Sequence, residues 1–273
     1  VSTSILFQAP RDAPFSVAEP LLSASLVCPN GIQRLAGGIV LLVHGTGATG
    51  DQSWPATPFL HLLPAMRPGF DVCYINIPGR SQGDIQLSSE YVAYNIMRLA
   101  EKSVTRNVSV IGHSQGNLNI QWALTFWPSI RPLIQDYIAV AADFHGTLEG
   151  SLACTLVRLR EEGCTAALLQ QTSGSNFLKA LLARGDKALV TTTSIYTLTD
   201  DVIQNEVGPN ATSILPGAAN YFLQQIKICG PSHVEGHISV LFDPAVFHLA
   251  FDAITHVGPA SLERFDRRNC FGF

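Results

Sequence analysis

The stretch Val108-Ser-Val-Ile-Gly-His-Ser-Gln-Gly116 sets a short apolar run directly against Gly-x-Ser-x-Gly. A nucleophilic serine must stand clear of the sheet that carries it, so the chain has to turn sharply from strand to helix at that residue. Small residues are needed on both sides, because a larger Cβ would collide with the neighbouring strand or helix. Ser114 then presents its Oγ outward, and the following helix aims its amide dipoles at the reacting oxygen. The pentapeptide alone is a weak pattern. Its setting is informative: a strand over 108–111 precedes it, and a helix over 117–126, stopped by Pro128, follows.

Working outward, residues 38–43 (Gly-Ile-Val-Leu-Leu-Val) form an apolar run without alternation, which predicts a strand covered on both faces. Residues 72–77 predict a second strand, closed by Pro78-Gly79. Ser88 or Ser89 can cap a helix whose apolar residues Val92, Ile96 and Leu99 share a face. Further strands are predicted over 137–142 and 189–198, with helical pieces within 147–184 between them. A last short strand is expected over 226–229, then a loop with two histidines and a helix around 245–255. Residues 1–36 are rich in Pro and Ser and lack clear periodicity. Strands alternating with helices predict an α/β fold: a mostly parallel central sheet with helices on both faces. With no repeat and no interior linker, the 273 residues are read as one domain.

Hydrophobic residues make up 47% of the chain and charged ones 14%, so a large core is available. A net charge of −4 without a basic block argues against nucleic acid, and no apolar stretch is long enough to span a membrane. The six cysteines are scattered and none forms Cys-x-x-Cys, which favours three disulfides over a metal ribbon. The sequons at Asn107 and Asn210 lean the same way, although Asn107 stands at a strand entrance. The chain starts at Val1, as a processed product would. Together these features predict a secreted, extracellular glycoprotein, most simply a monomer.

A serine hydroxyl needs a general base, and the base needs an orienting carboxylate. In the α/β-hydrolase chain order the acid and the histidine follow the serine. His44, His61 and His113 precede Ser114, His145 follows too soon, and His248 and His256 lie in the last helical segment. His233 and His237 remain, and the context of His237 favours it. The pair at i, i+4 also invites a metal reading, which Gly236 and the absence of His-Glu-x-x-His weaken; no metal is expected. Asp200 is the candidate acid, nearest the end of the late strand; Asp201 and Asp143 are its alternatives. The oxyanion amides fall to Gln115, after the nucleophile, and Thr46, after the early strand. The same loop, Gly45-Thr-Gly-Ala-Thr-Gly50, matches the dinucleotide fingerprint. That fingerprint must open a helix, and Pro55 and Pro58 argue against one; no cofactor is expected.

With these residues placed, the chain resembles the Candida antarctica lipase B family of fungal lipases. The resemblance runs through Leu41-Leu-Val-His-Gly-Thr-Gly-Ala-Thr-Gly50, Ser114-Gln-Gly116, Gln121-Trp-Ala-Leu-Thr-Phe-Trp-Pro-Ser-Ile-Arg131 and Asp143-Phe-His-Gly-Thr147. It continues through Gln170-Gln-Thr-Ser-Gly-Ser175, Tyr196-Thr-Leu-Thr-Asp-Asp-Val-Ile-Gln204 and Cys229-Gly-Pro231. It implies the α/β-hydrolase fold, with Ser114, Asp200 and His237 as triad and Thr46 and Gln115 at the oxyanion positions. It further implies Asp143 and Gln171 as a polar pair beside the substrate, and Val202 and Ile203 as channel lining. Among the cysteines it implies the disulfides Cys28–Cys73 and Cys229–Cys270.

The chain departs from the family in three places. His113 stands where the family has a bulky Trp that shapes the alcohol-side pocket. The chain stops at Phe273, without the family's C-terminal extension, which suggests a wider entrance. The 147–170 region is longer and lid-like; there Cys154 and Cys164 are expected to pair, and Leu152, Leu156 and Leu159 form a stripe. The implied function is hydrolysis or transesterification of carboxylic esters such as triacylglycerols, at a lipid–water interface or in solution. The alternatives are an esterase for short-chain, aromatic or polyester substrates, and a non-catalytic binding protein on the same fold.

Overall fold

The computed structural model describes residues 9–147 and 164–273. Seven strands form one sheet: β1 (Leu26–Val27), β2 (Ile39–Val43), β3 (Asp71–Ile75), β4 (Val108–His113), β5 (Ile134–Val140), β6 (Thr192–Tyr196) and β7 (Ala219–Phe222). Their spatial order is β1-β3-β2-β4-β5-β6-β7. Only β1, paired to β3, runs antiparallel. The helices are α1 (Glu19–Ala24), α2 (Gly50–Ser53), α3 (Pro58–Leu62), α4 (Ile85–Lys102), α5 (Gln115–Phe126), α6 (Ala166–Gln171), α7 (Asn176–Gly185) and α8 (Pro244–Thr255).

The unalternating apolar run of β2 is explained by its two faces. Ile39, Leu41 and Val43 pack with α4, α5 and α7 on one side of the sheet. Val40 and Leu42 pack with α3 and α8 on the other. All five are buried, as the apolar surface of a central parallel strand requires. The Gln121–Arg131 stretch has a packing role. Trp122 stacks on Phe177 with ring centroids 4.6 Å apart. Gln121 Nε2 donates to Gly185 O (2.6 Å) and Lys187 O (2.9 Å), capping carbonyls at the end of α7. Disulfides join Cys28 to Cys73 and Cys229 to Cys270. Cys164 is disulfide-bonded too; Cys154 and the stripe of Leu152, Leu156 and Leu159 lie outside the described residues. No helix among the described residues is long and apolar enough to cross a membrane.

The structure corrects several boundaries. Residues 226–229 form turns, with Ile226 exposed, and the last strand is β7. Its Ala-Asn-Tyr-Phe sequence is only half-buried at the sheet edge, so it carries no apolar run. Helix α4 starts at Ile85 under an Asp84 cap, Asp84 Oδ1 accepting from Gln86 N. Ser88 and Ser89 lie inside it and donate their hydroxyls to Asp84 O and Ile85 O. Strand β6 is shorter than expected, so Asp200 follows it by a short loop, and Asp143 likewise stands beyond the end of β5. The glycine loop does open a helix, the single turn α2, capped by Thr49 and Gln52 before Pro55 ends it.

Helix α5 meets β2 at Gly116, where an added Cβ would lie 2.4 Å from Val43 O and 2.9 Å from His44 O. Both neighbours are backbone, so neither can swing away. Gly116→Ala is therefore expected to destabilise the fold by about 1–3 kcal/mol. A urea midpoint unchanged from wild type would show that α5 can move off the sheet without cost.

Candidate active site

Ser114 joins β4 to α5 with φ 54° and ψ −134°, a left-handed backbone that a non-glycine residue adopts only under constraint. Its amide donates to Val140 O (3.1 Å), at the end of the adjacent strand. Asn117 Nδ2 donates to Ser114 O (3.1 Å) and Val140 O (3.0 Å), and Tyr137 Oη donates to Asn117 Oδ1 (3.0 Å). The close glycines make room: an added Cβ at Gly45 would lie 2.7 Å from Ser114 Cβ.

His237 lies in the irregular segment between β7 and α8. Its Nδ1 is 2.8 Å from Asp200 Oδ2, and both side chains are buried. A carboxylate only accepts, so Nδ1 carries the proton and Nε2 keeps a free lone pair. Asp200 Oδ1 accepts the amides of Val202 (2.8 Å) and Ile203 (2.7 Å), which fixes the carboxylate in place. Ser114 Oγ has no hydrogen bond among the described residues, and such contacts commonly tighten only with substrate present.

Thr46 lies in the loop after β2, and Gln115 is the first residue of α5. Neither backbone N–H has an acceptor among the described residues. Thr46 Oγ1 donates to Gln115 Oε1 and accepts from Gln171 Nε2 at 3.0 Å. Gln171 Nε2 also reaches Gln115 Oε1 (3.2 Å), and Gln115 Nε2 donates to Ser81 Oγ (3.0 Å). The Thr46 hydroxyl is thus engaged with Gln115. His44 braces the same loop: Nδ1 donates to Gly45 O (2.8 Å) and Nε2 accepts from Ile77 N (3.1 Å). Burial lowers the His44 pKa.

A cavity of about 440 Å³ opens on these groups. Ser114, His237, His113, Thr46, Gln171, Val202 and Ile203 all line it, with Ile238, Leu241 and Phe242. None of the described residues lining it is Asp, Glu, Lys or Arg. Asp143 is not among them. It is fully buried, neither carboxylate oxygen has a partner among the described residues, and burial raises its pKa to about 7. His113 is also buried; desolvation, and then the neighbouring His237, lower its pKa to about 3. His233 pairs instead with Asp243 (2.6 Å), the cap of α8. Together with Glu235 these two form a compact His-Glu-Asp group, but the short bond already occupies His233 Nε2.

Sequence reasoning missed Glu206. It is buried, and its Oε1 lies 2.5 Å from Ser213 Oγ, which is itself 2.6 Å from Ala142 O. One hydroxyl proton cannot serve two acceptors. Both contacts are satisfied when Glu206 is a neutral acid donating to Ser213. Burial pushes its pKa up to about 8, with Asp200 and Asp143 adding to the rise.

No family model matches the chain. Lipase B of Pseudozyma (Candida) antarctica is 34% identical over 235 residues, which cover 84% of this chain and 65% of that protein. The crystal structure of Aspergillus fumigatus lipase B superposes with TM-score 0.87 at 38% identity, covering 96% of this chain and 64% of the other. A Bacillus licheniformis lipase in its propeptide form shares the fold, with TM-score 0.61 at 16% identity over 82% of this chain and 51% of that one. The chain thus spans somewhat less than two thirds of the lipase B proteins it matches. Sheet order, elbow and helices make it an α/β-hydrolase. Within that superfamily its sequence and fold are similar to those of the lipase B-like fungal lipases.

Glu206 yields a pH test. Its folded pKa is raised, so the folded state holds a proton that the unfolded state releases near the ordinary carboxyl range. Its contribution is full at acid pH and is lost as pH rises towards about 8. Glu206→Gln, which keeps a donor for Ser213, is expected to match wild type in melting temperature at about pH 5 and exceed it at about pH 9. Equal offsets at both pH values would show that Glu206 is ionised in the fold.

Proposed function

We propose that the chain is a serine carboxylic ester hydrolase of lipase type, working through Ser114, Asp200 and His237. One observation carries the reading. A strained serine and a histidine bonded at 2.8 Å to a buried carboxylate line one cavity, beside two amides without acceptors. His237 Nε2 takes the proton as Ser114 Oγ attacks the ester carbonyl. The amides of Thr46 and Gln115 receive the oxyanion, and Gln171 holds both of their side chains in register. His237 returns the proton to the leaving alcohol. Water, activated in the same way, then releases the acid from Ser114. In an apolar cavity an alcohol can replace water, giving transesterification.

The described residues lining the cavity carry no fixed charge, which supports neutral esters. Val202, Ile238 and Phe242 line the cavity yet are 44%, 61% and 42% exposed, so its mouth has an apolar rim. That rim suits acyl chains delivered from triacylglycerol at an oil–water surface. A single sheet carrying every strand supports one domain. Disulfides support an oxidising, extracellular setting, and Asn210, exposed in a loop, is a better glycan site than half-buried Asn107.

An ester series from acetate through octanoate to emulsified triolein, run on wild type and Ser114→Ala, tests the reading. Wild type is expected to turn over several members, and Ser114→Ala to lose about 10⁴-fold or more in kcat. Absence of turnover across the series, or turnover unchanged by the substitution, would favour a binding protein on a hydrolase fold.

A further inference from the structure

The peptide groups of His237 have no ladder or helix to hold them. Residues 233–236 around the approach to it carry no regular structure, and His237 itself stands in a turn. Its polar backbone atoms are bonded all the same, and by two particular side chains. The His237 N–H donates to Asp201 Oδ1 at 2.7 Å. The His237 carbonyl accepts from His113 Nε2 at 2.8 Å. Asp201 directly follows the acid Asp200, and His113 directly precedes the nucleophile Ser114.

Two further features show that this arrangement is built. An added Cβ at Gly236 would lie 2.9 Å from Asp201 Oδ1, so the missing side chain there makes room for the carboxylate. The residue before it is tied down on the same side: Glu235 O accepts from Thr199 Oγ1 (2.8 Å), and Glu235 N donates back to it (3.1 Å). The His113 ring lies over the His237 ring, centroids 4.8 Å apart. A carbonyl only accepts, so His113 Nε2 carries a proton, and burial, which lowers the pKa of the ring to about 3, favours the neutral form. It therefore braces the base without placing a like charge beside the imidazolium that forms during turnover.

We propose that Asp201 and His113 are positioning residues that clamp the base through the two peptide groups that flank its α-carbon. Asp201 holds His237 N–H and His113 holds His237 C=O, so that Nε2 stays within reach of Ser114 Oγ while Asp200 sets the tautomer. The clamp rests on the triad reading above. It makes the spacing of the triad depend on the chain neighbours of the other two members. Asp201 contributes geometry here: its acceptor oxygen matters, its charge does not.

The conservative and the truncating variants separate these roles. Asp201→Asn keeps an acceptor and removes the charge, whereas Asp201→Ala removes both. His113→Gln keeps a donor of similar reach, whereas His113→Met removes it. Misplacing a catalytic group by about 1 Å can cost up to about 100-fold. Asp201→Ala and His113→Met are therefore expected to lose about 10- to 100-fold in kcat on p-nitrophenyl butyrate, with KM within about twofold. Asp201→Asn and His113→Gln are expected to recover most of that loss, with the acid limb of the pH–rate profile where wild type has it. Asp201 is exposed, so its pair decides the matter even if a buried His113 variant fails to fold. A parallel readout needs no activity: the NMR resonance of the His237 Nδ1 proton shared with Asp200. It is expected to persist in the Asn and Gln variants and to broaden or vanish in the Ala and Met variants. If Asp201→Asn falls as far as Asp201→Ala, or its acid limb moves, charge is the working element and the clamp is wrong. Wild-type kcat and an intact Nδ1 signal in Asp201→Ala would also overturn it. Should wild type hydrolyse no ester while the proton signal follows the expected pattern, the triad reading fails and the clamp stands.

Discussion

The left-handed backbone of Ser114 is the constraint on which the rest of the site depends. A side chain held at φ 54° costs on the order of 1–3 kcal/mol, which the surroundings must offset. They do so with bonds that exist only in this conformation. Val140 O accepts the Ser114 amide, and Asn117 reaches back to both Ser114 O and Val140 O. Gly45 and Gly116 let β2 approach so closely that nothing larger than hydrogen fits between. The strain is thus distributed over β2, β4, β5 and α5. It puts Ser114 at the cavity wall, directly before the first residue of α5, so one distortion sets the two residues to which the proposed mechanism gives nucleophile and oxyanion roles.

Behind the cavity the polar groups sort by charge state. Asp200 accepts two amides and a ring N–H, a set of donors that suits an ionised carboxylate. The Asp143 carboxylate oxygens have no partner among the described residues, and Glu206 sits where a protonated acid satisfies the geometry. Burial raises both of these pKa values, to about 7 and about 8. Three anions packed together would repel strongly in a low-dielectric interior. Raising the pKa values of two of them reduces that repulsion. Burial pushes the pKa values of His44 and His113 the other way, downward.

Much of the fold was legible because central parallel strands are buried on both faces and read as apolar runs. The runs at 38–43 and 108–111 fell within a residue or two of β2 and β4. Edge strand β7 was invisible for the same reason: half-buried Ala-Asn-Tyr-Phe lacks such a run, while the apolar 226–229 segment drew the assignment to a turn. Ser114, His237 and Thr46 at the cavity were legible from chain order and motif, and Gln171, Val202 and Ile203 only from the family resemblance. The groups that hold them were not. Asn117, Asp201 and Glu206 act through partners between 3 and 36 residues away, and nothing local marks them. Asp201 was considered only as a rival to Asp200, since a sequence does not show which of two adjacent carboxylates meets a ring and which meets the peptide.

His113 shows how far a local motif can mislead about the role of its own middle residue. In Gly-x-Ser-x-Gly the variable position before serine invites a reading as pocket lining, and His113 does line the cavity. Yet it is the last residue of β4, and its Nε2 ends on the carbonyl of a residue 124 positions later. The side chain at that position therefore touches both the cavity and the backbone of His237. A larger or smaller group there changes the cavity, and a group without a donor also frees the His237 carbonyl. A substitution made to reshape the cavity therefore acts on the His237 backbone as well.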